Sequence, residues 1–181
     1  MIKKILILGL LLTIGLPTLA VTSIERDDLF REVKMLCGIY GRTCKVTEIQ
    51  ENNLFAETHY GGDIVISTGM LNRMNKSQVR GVLYHEVGHV VLKHVEDMFN
   101  YLQECQRYNT CSTSYISAVR RSKEFQADRF ATYVLKTTNQ PEGLSEALLI
   151  ITPEKDLYTT HPTHPSTADR INQIRRIYYG E

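Results

Sequence analysis

Two histidines four residues apart enclose a glutamate in the run His85-Glu86-Val87-Gly88-His89. On an α-helix this spacing puts both imidazoles on one face, where they can converge on a single tetrahedral cation. Glu86 then lies on the adjoining flank, placed to hold a water molecule and take its proton. The plainer alternative makes both histidines polar residues of a helix flank, with Glu86 paired to a nearby Arg or Lys. Gly88 argues for the first reading. An interior helical glycine costs about 1 kcal/mol relative to alanine and usually marks the close approach of another element.

A catalytic metal needs a third protein ligand and one open coordination position. One route from this motif requires Gly at position 92 and His at position 95, but the chain has Leu92 and Val95. His94, five residues past His89, is rotated off the metal face, so it reads as a helix-end histidine. The other route takes a glutamate from a second helix, with an aspartate four residues later to orient a ligand histidine. Glu124-Phe125-Gln126-Ala127-Asp128 supplies both carboxylates on one helical face. Alone, such a pair is usually a solvated face. Here it gains meaning from the His85 motif and from Ala127, small enough to let two helices approach.

The elements that must position these groups follow from periodicity. Ile24 to Tyr40 carries Leu29, Val33 and Leu36 at helical intervals, and Gly41 can end it. Lys45 to Gln50, Leu54 to His59 and Asp63 to Ser67 read as strands of a small antiparallel sheet, the last two joined through Gly61-Gly62. From Asn75 the period becomes helical (Val79, Val82, Leu83, Val87, Val90, Val91), and Asn75 with Gln78 can form a capping pair. Met98 to Ser114 is polar, holds two cysteines and reads as a tied connection. Tyr115 to Lys136 is helical again. A short helix is expected near Pro141. A loop from Thr152 to Pro165 then leads to a last helix opened by Ser166-Thr167-Ala168-Asp169.

The start of the chain, Met1-Ile2-Lys3-Lys4 with an apolar run from Ile5 to Leu16 and Pro17-Thr18-Leu19-Ala20, has the form of a signal peptide over residues 1–20, cleaved after Ala20. An uncleaved anchor is the alternative, although so short a run spans a bilayer only marginally. Residues 21–181 read as a single domain, with no internal repeat and no later segment apolar enough to cross a membrane. Loss of Lys3 and Lys4 takes the formal net charge from +1 to −1, and nothing in that balance asks for nucleic acid. Cys37, Cys44, Cys105 and Cys111 suit an oxidising compartment and allow three pairings. Local bridges Cys37–Cys44 and Cys105–Cys111 are expected, each closing a short loop beside a helix end. A cysteine metal site is disfavoured, because no C-x-x-C spacing occurs.

From about Asn53 to Ile171 the sequence resembles the gluzincin metallopeptidase family that includes the CAAX prenyl endopeptidase, HtpX and their soluble periplasmic relatives. The similarity rests on Asn53-Leu54-Phe55-Ala56, on Ile64 to Leu71, on the run through His94, on Glu124 to Asp128, and on Thr163-His164-Pro165 followed by Arg170-Ile171. The resemblance implies an α+β, mostly helical zincin-like metallopeptidase domain over 21–181. It implies one zinc per chain on His85, His89 and Glu124, with Glu86 as base and Asp128 orienting a ligand. It also places His164 and Arg170 near the metal, with His161-Pro162 a competing copy of the His-Pro pair.

The expected reaction is hydrolysis of polypeptides in the periplasm or outside the cell, with substrates lying along the Ile64 to Ser67 strand. A second expectation is a binding protein or assembly factor whose zinc site is latent, covered by the 152–165 loop through His164. The oligomeric state is left open.

Overall fold

A computed structural model describes residues 20–181, so the leader expected over 1–20 lies, Ala20 apart, outside the described residues. Among the described residues no helix is long and apolar enough to cross a membrane.

Helix α1 (Ser23–Ile39) begins with a reciprocal cap. The Thr22 hydroxyl accepts from the Glu25 backbone N–H, and the Glu25 carboxylate accepts from that of Thr22. Its Leu29, Val33 and Leu36 are buried as the periodicity requires. The Cys37–Cys44 disulfide fastens its end to strand β1 (Lys45–Ile49). Strands β2 (Ala56–Thr58) and β3 (Asp63–Ser67) form the expected antiparallel hairpin across Gly61 and Gly62.

The sheet itself is mixed rather than antiparallel. Its order is β1-β3-β2, and β1 runs parallel to β3. The cause is the linker after β1, which crosses the end of β3 instead of turning back beside β1. The Glu51 carbonyl oxygen accepts from Gly69 N–H at 2.7 Å and from the Thr68 hydroxyl at 2.9 Å, and the Ser67 hydroxyl donates to the Asn53 carbonyl at 2.6 Å. Gly69 is required there, because any Cβ would collide with the carbonyl oxygens of Asn52 and Asn53. β3 is thus central, with Ile64 and Ile66 fully buried, and β2 is an edge strand lying against the helices.

A short helix not foreseen from the pattern, α2 (Thr68–Arg73), follows β3 directly with Ser67 as its cap. Helix α3 (Lys76–Val91) starts at Asn75, whose side chain caps Gln78 N–H while Gln78 Oε1 accepts from Asn75 N–H. It is the hub of the molecule. Nearly every side chain from Gln78 to Val90 is buried, against α1, helix α5 (Thr113–Thr137) and helix α6 (Leu144–Ile151).

The segment expected to be a tied connection is largely a helix, α4 (His94–Arg107). Its polar composition conceals an inward stripe of Val95, Met98, Leu102 and Cys105 on a helix otherwise turned to water. The Cys105–Cys111 disulfide closes the turn between α4 and α5. α6 starts at Leu144, three residues after Pro141, because the Glu142 side chain accepts from Ser145 N–H and so serves the helix start. Residues 152–165 form a loop with one 3-10 turn at Glu154–Asp156, and helix α7 (Thr167–Tyr179) follows the Ser166 cap.

One half-buried ion pair joins α1 to α3. The Arg80 guanidinium grips the Glu32 carboxylate with two bonds of 2.8 and 3.0 Å. Burial alone would raise the Glu32 pKa, but the hydrogen bond and charge of Arg80 hold it below the ordinary value. The pair therefore stabilises the fold fully above the unfolded carboxylate pKa of about 4.3, and the contribution fades as pH falls through the lowered folded value. Glu32→Gln is expected to cost about 1–3 kcal/mol at pH 7 in urea unfolding. The gap to the parent protein should close below about pH 4.

Candidate metal centre

α3 carries His85 and His89 one turn apart, with their Nε2 atoms 3.1 Å from each other. α5 crosses above them and brings Glu124, whose Oε2 is 3.3 Å from His85 Nε2 and whose Oε1 is 3.5 Å from His89 Nε2. Ligands about 2.05 Å from a tetrahedral zinc lie about 3.3 Å apart. The two histidines are spaced for such a polyhedron and the Glu124 carboxylate faces both, one oxygen toward each; one ligand atom from each of the three residues lies within 4.8 Å of the others, so this triangle of side chains could hold a metal ion together. The helices come this close because Gly88 faces Ala127, where a Cβ on residue 88 would sit 3.0 Å from the Ala127 Cα.

The ring nitrogens turned away from the triangle are also held. His85 Nδ1 is 2.8 Å from Asp128 Oδ1. Asp128 is fully buried and clamped by Arg170 of α7, with Nε and a terminal nitrogen each 2.7 Å from its two oxygens. His89 Nδ1 is 3.1 Å from His94 Nδ1. This corrects the reading of His94 as a rotated helix-end residue. The helix does not continue: Lys93 takes a left-handed conformation (φ 57°), α4 starts in a new direction, and His94 swings back into the interior with 3% of its surface exposed.

The electrostatics favour a cation. Burial lowers the His85 pKa, but hydrogen bonds from its ring to the Asp128 and Glu124 carboxylates overcome it and raise the imidazole to about 10. His89 is pushed down to about 3 by burial and by the neighbouring charge on His85. Glu124, despite burial, is held well below the usual carboxylate range by His85. Asp128, also opposed by burial, is held at about 2 by Arg170 and His85. Two ionised carboxylates thus retain a positive charge between them, the condition a bound divalent ion satisfies.

Glu86 is buried beside the triangle. Burial raises its carboxyl above the ordinary value, more than the charge on His85 and the hydrogen bond from Thr58 lower it. Thr58, a residue the sequence did not single out, lies 2.8 Å from Glu86 Oε2 and 3.0 Å from the Glu86 carbonyl oxygen. Its hydroxyl fixes the edge strand to α3 and orients the carboxylate. Of the two His-Pro histidines, His164 reaches the site, with Nε2 3.8 Å from Glu124 Oε2. His161 lines the same cleft without a contact to the three residues, and both histidines are exposed. The cleft, about 880 Å³ in volume, runs over the triangle between β2, α4 and the 152–165 loop.

The family model for peptidase family M48 matches residues 30–112 and 101–178. The chain belongs to that family. It is similar to the protease HtpX of Legionella pneumophila (strain Lens), 23% identical over 177 residues, covering 64% of this chain and 62% of that protein. It is also similar in fold to the crystal structure of Ste24p from S. mikatae, with a TM-score of 0.60 and 16% identity, over 81% of this chain and 49% of that one. The M48 chain described here thus spans about half to three-fifths of the length of these two relatives.

Asp128 offers a direct check on the centre. Asp128→Ala removes the two short bonds of a buried guanidinium, leaving it only the longer Glu124 contact, and should cost about 3–5 kcal/mol in the chelator-treated protein, read by urea unfolding. The same change should weaken zinc binding roughly 10–100-fold, read by competition with a chromophoric chelator.

Proposed function

We propose that this chain is a zinc-dependent endopeptidase, with His85, His89 and Glu124 holding one zinc ion and Glu86 serving as general base. The observation that carries the reading is the pair of imidazole Nε2 atoms 3.1 Å apart, each faced by one oxygen of Glu124 at 3.3 and 3.5 Å, beside the buried carboxyl of Glu86. When bound, zinc supplies Lewis acidity and lowers the pKa of a coordinated water to about 7. Glu86 removes a proton from the attacking water and later delivers it to the departing amine. Thr58 holds that carboxylate in place, and Asp128 with Arg170 holds His85 in the tautomer that presents Nε2 to the metal.

The polypeptide substrate is proposed to bind as an added strand. Ile64 to Ser67 cannot receive it, since β3 is paired on both sides. The available edge is β2, Ala56 to Thr58, whose last residue already touches Glu86. An exposed backbone edge facing a cleft suits unfolded or misassembled chains. Export fits the two disulfides, which persist in oxidising compartments.

A latent zinc-binding assembly factor is favoured by one observation, the position of His164 on a loop at the cleft with Nε2 3.8 Å from Glu124. His164→Ala separates the readings: casein cleavage rises if the histidine silences the site, and falls or stays level if the site is open.

The central test is Glu86→Gln. Zinc content should match that of the parent protein, while casein hydrolysis should fall by about 10²–10⁴-fold. Equal residual cleavage in both proteins would show that a contaminant, not this chain, is the protease.

A further inference from the structure

His94 and Gln126 have no part in the reading so far, yet together they complete a directional chain of hydrogen bonds behind the ligand triangle. His89 turns Nε2 toward His85 and Glu124, so its proton belongs on Nδ1. The atom facing that proton is His94 Nδ1, at 3.1 Å. His94 must therefore accept at Nδ1 and carry its own proton on Nε2. The group facing Nε2 is Gln126 Oε1 at 3.2 Å, an acceptor, and Gln126 Nε2 in turn donates to the Ser122 hydroxyl at 3.2 Å. Each step is donor to acceptor in one sense only.

We infer that His94 is a positioning residue for His89, and that Gln126 selects the His94 tautomer able to accept from it. The inference rests on the zinc reading above and extends it to residues outside the HExxH run and the Glu124–Asp128 pair. It also explains two local features that otherwise lack a cause. A buried histidine is costly unless paired, and His94 is paired at both nitrogens. The left-handed Lys93, an unfavourable conformation for a residue with a Cβ, is the turn that aims His94 at His89. The two ligand histidines are then supported unequally, His85 by an ionised carboxylate and His89 by a neutral ring.

The test uses the full chain and the metal alone. Asn places a side-chain oxygen near the position of the histidine Nδ1, so His94→Asn keeps the acceptor, whereas His94→Phe keeps the ring and removes it. Gln126 stands at the surface of α5. There, Gln126→Glu keeps an acceptor for His94 and Gln126→Leu abolishes it without disturbing the core.

Zinc affinity by chelator competition, together with the visible spectrum of the cobalt-loaded protein, should separate two groups. His94→Asn and Gln126→Glu should stay within a few-fold of the parent, while His94→Phe and Gln126→Leu weaken zinc roughly 10–100-fold and alter the cobalt bands. Equal affinity for Gln126→Leu and Gln126→Glu, or no recovery in His94→Asn relative to His94→Phe, overturns the assignment even if the parent binds zinc. A parent chain that binds no zinc overturns both this inference and the reading beneath it.

Discussion

The carboxylate of Asp128 is shared between two partners inside the protein, the Nδ1 atom of His85 and the guanidinium of Arg170. Desolvating an acid and a guanidinium together is expensive, and the expense is offset only when each hydrogen-bonding position is used. That requirement reaches well beyond the three residues. It sets the rotation of α5 on α3, which delivers Glu124 one turn before Asp128. It sets the depth to which α7 inserts, since Arg170 lies in the first turn after the Ser166 cap. It also calls for the Gly88–Ala127 contact, because a bulkier pair would hold the helices too far apart for a 2.8 Å bond.

Once these helices are locked, the charges around the triangle follow. Arg170 neutralises Asp128, while Glu124 stays ionised despite its burial chiefly through His85, with Arg170 adding a smaller share at 3.7 Å. Glu86 is placed differently. It has a hydroxyl from Thr58 but no cation of its own in hydrogen-bond contact, so desolvation prevails and its affinity for a proton rises. Two glutamates within one pocket are thereby driven in opposite directions, Glu124 toward losing its proton and Glu86 toward keeping it.

How much of this was legible in the sequence depends on whether the relevant geometry is local. The His85, Glu86, His89 face and the Glu124, Asp128 face are properties of single helices, and a spacing of four residues states them outright. His94 was misread because the same helical rule was carried past the point where the helix ends, and no Gly or Pro marks that end. The strand runs were visible, but their order was not: the β1 to β2 linker crosses β3 through bonds to Thr68 and Gly69, contacts that periodicity does not encode. Helix α4 was hidden by composition, since only a narrow stripe of its surface is apolar. Thr58 looks like any strand threonine until β2 is known to be the edge lying on α3.

The break at Lys93 ties two features of the centre that would otherwise be independent. After the turn, α4 presents His94, Met98 and Leu102 four residues apart along one side. The first meets His89 and the other two form a wall of the cleft opposite β2. Because they share one helix, the orientation of the His89 imidazole and the width of the cleft cannot be changed separately. α4 packs lightly on α3, and it is held by the His94–His89 contact at one end, by Lys123–Asp97 and Tyr101–Tyr115 contacts with α5 along its length, and by the Cys105–Cys111 bridge to the turn before α5 at the other end. α5 also carries Glu124 and Gln126, so these contacts return the cleft wall to the helix that brings Glu124 to the two histidines. The cleft and the centre are therefore built as one mechanical unit, with the polar cluster at its middle deciding the position of both.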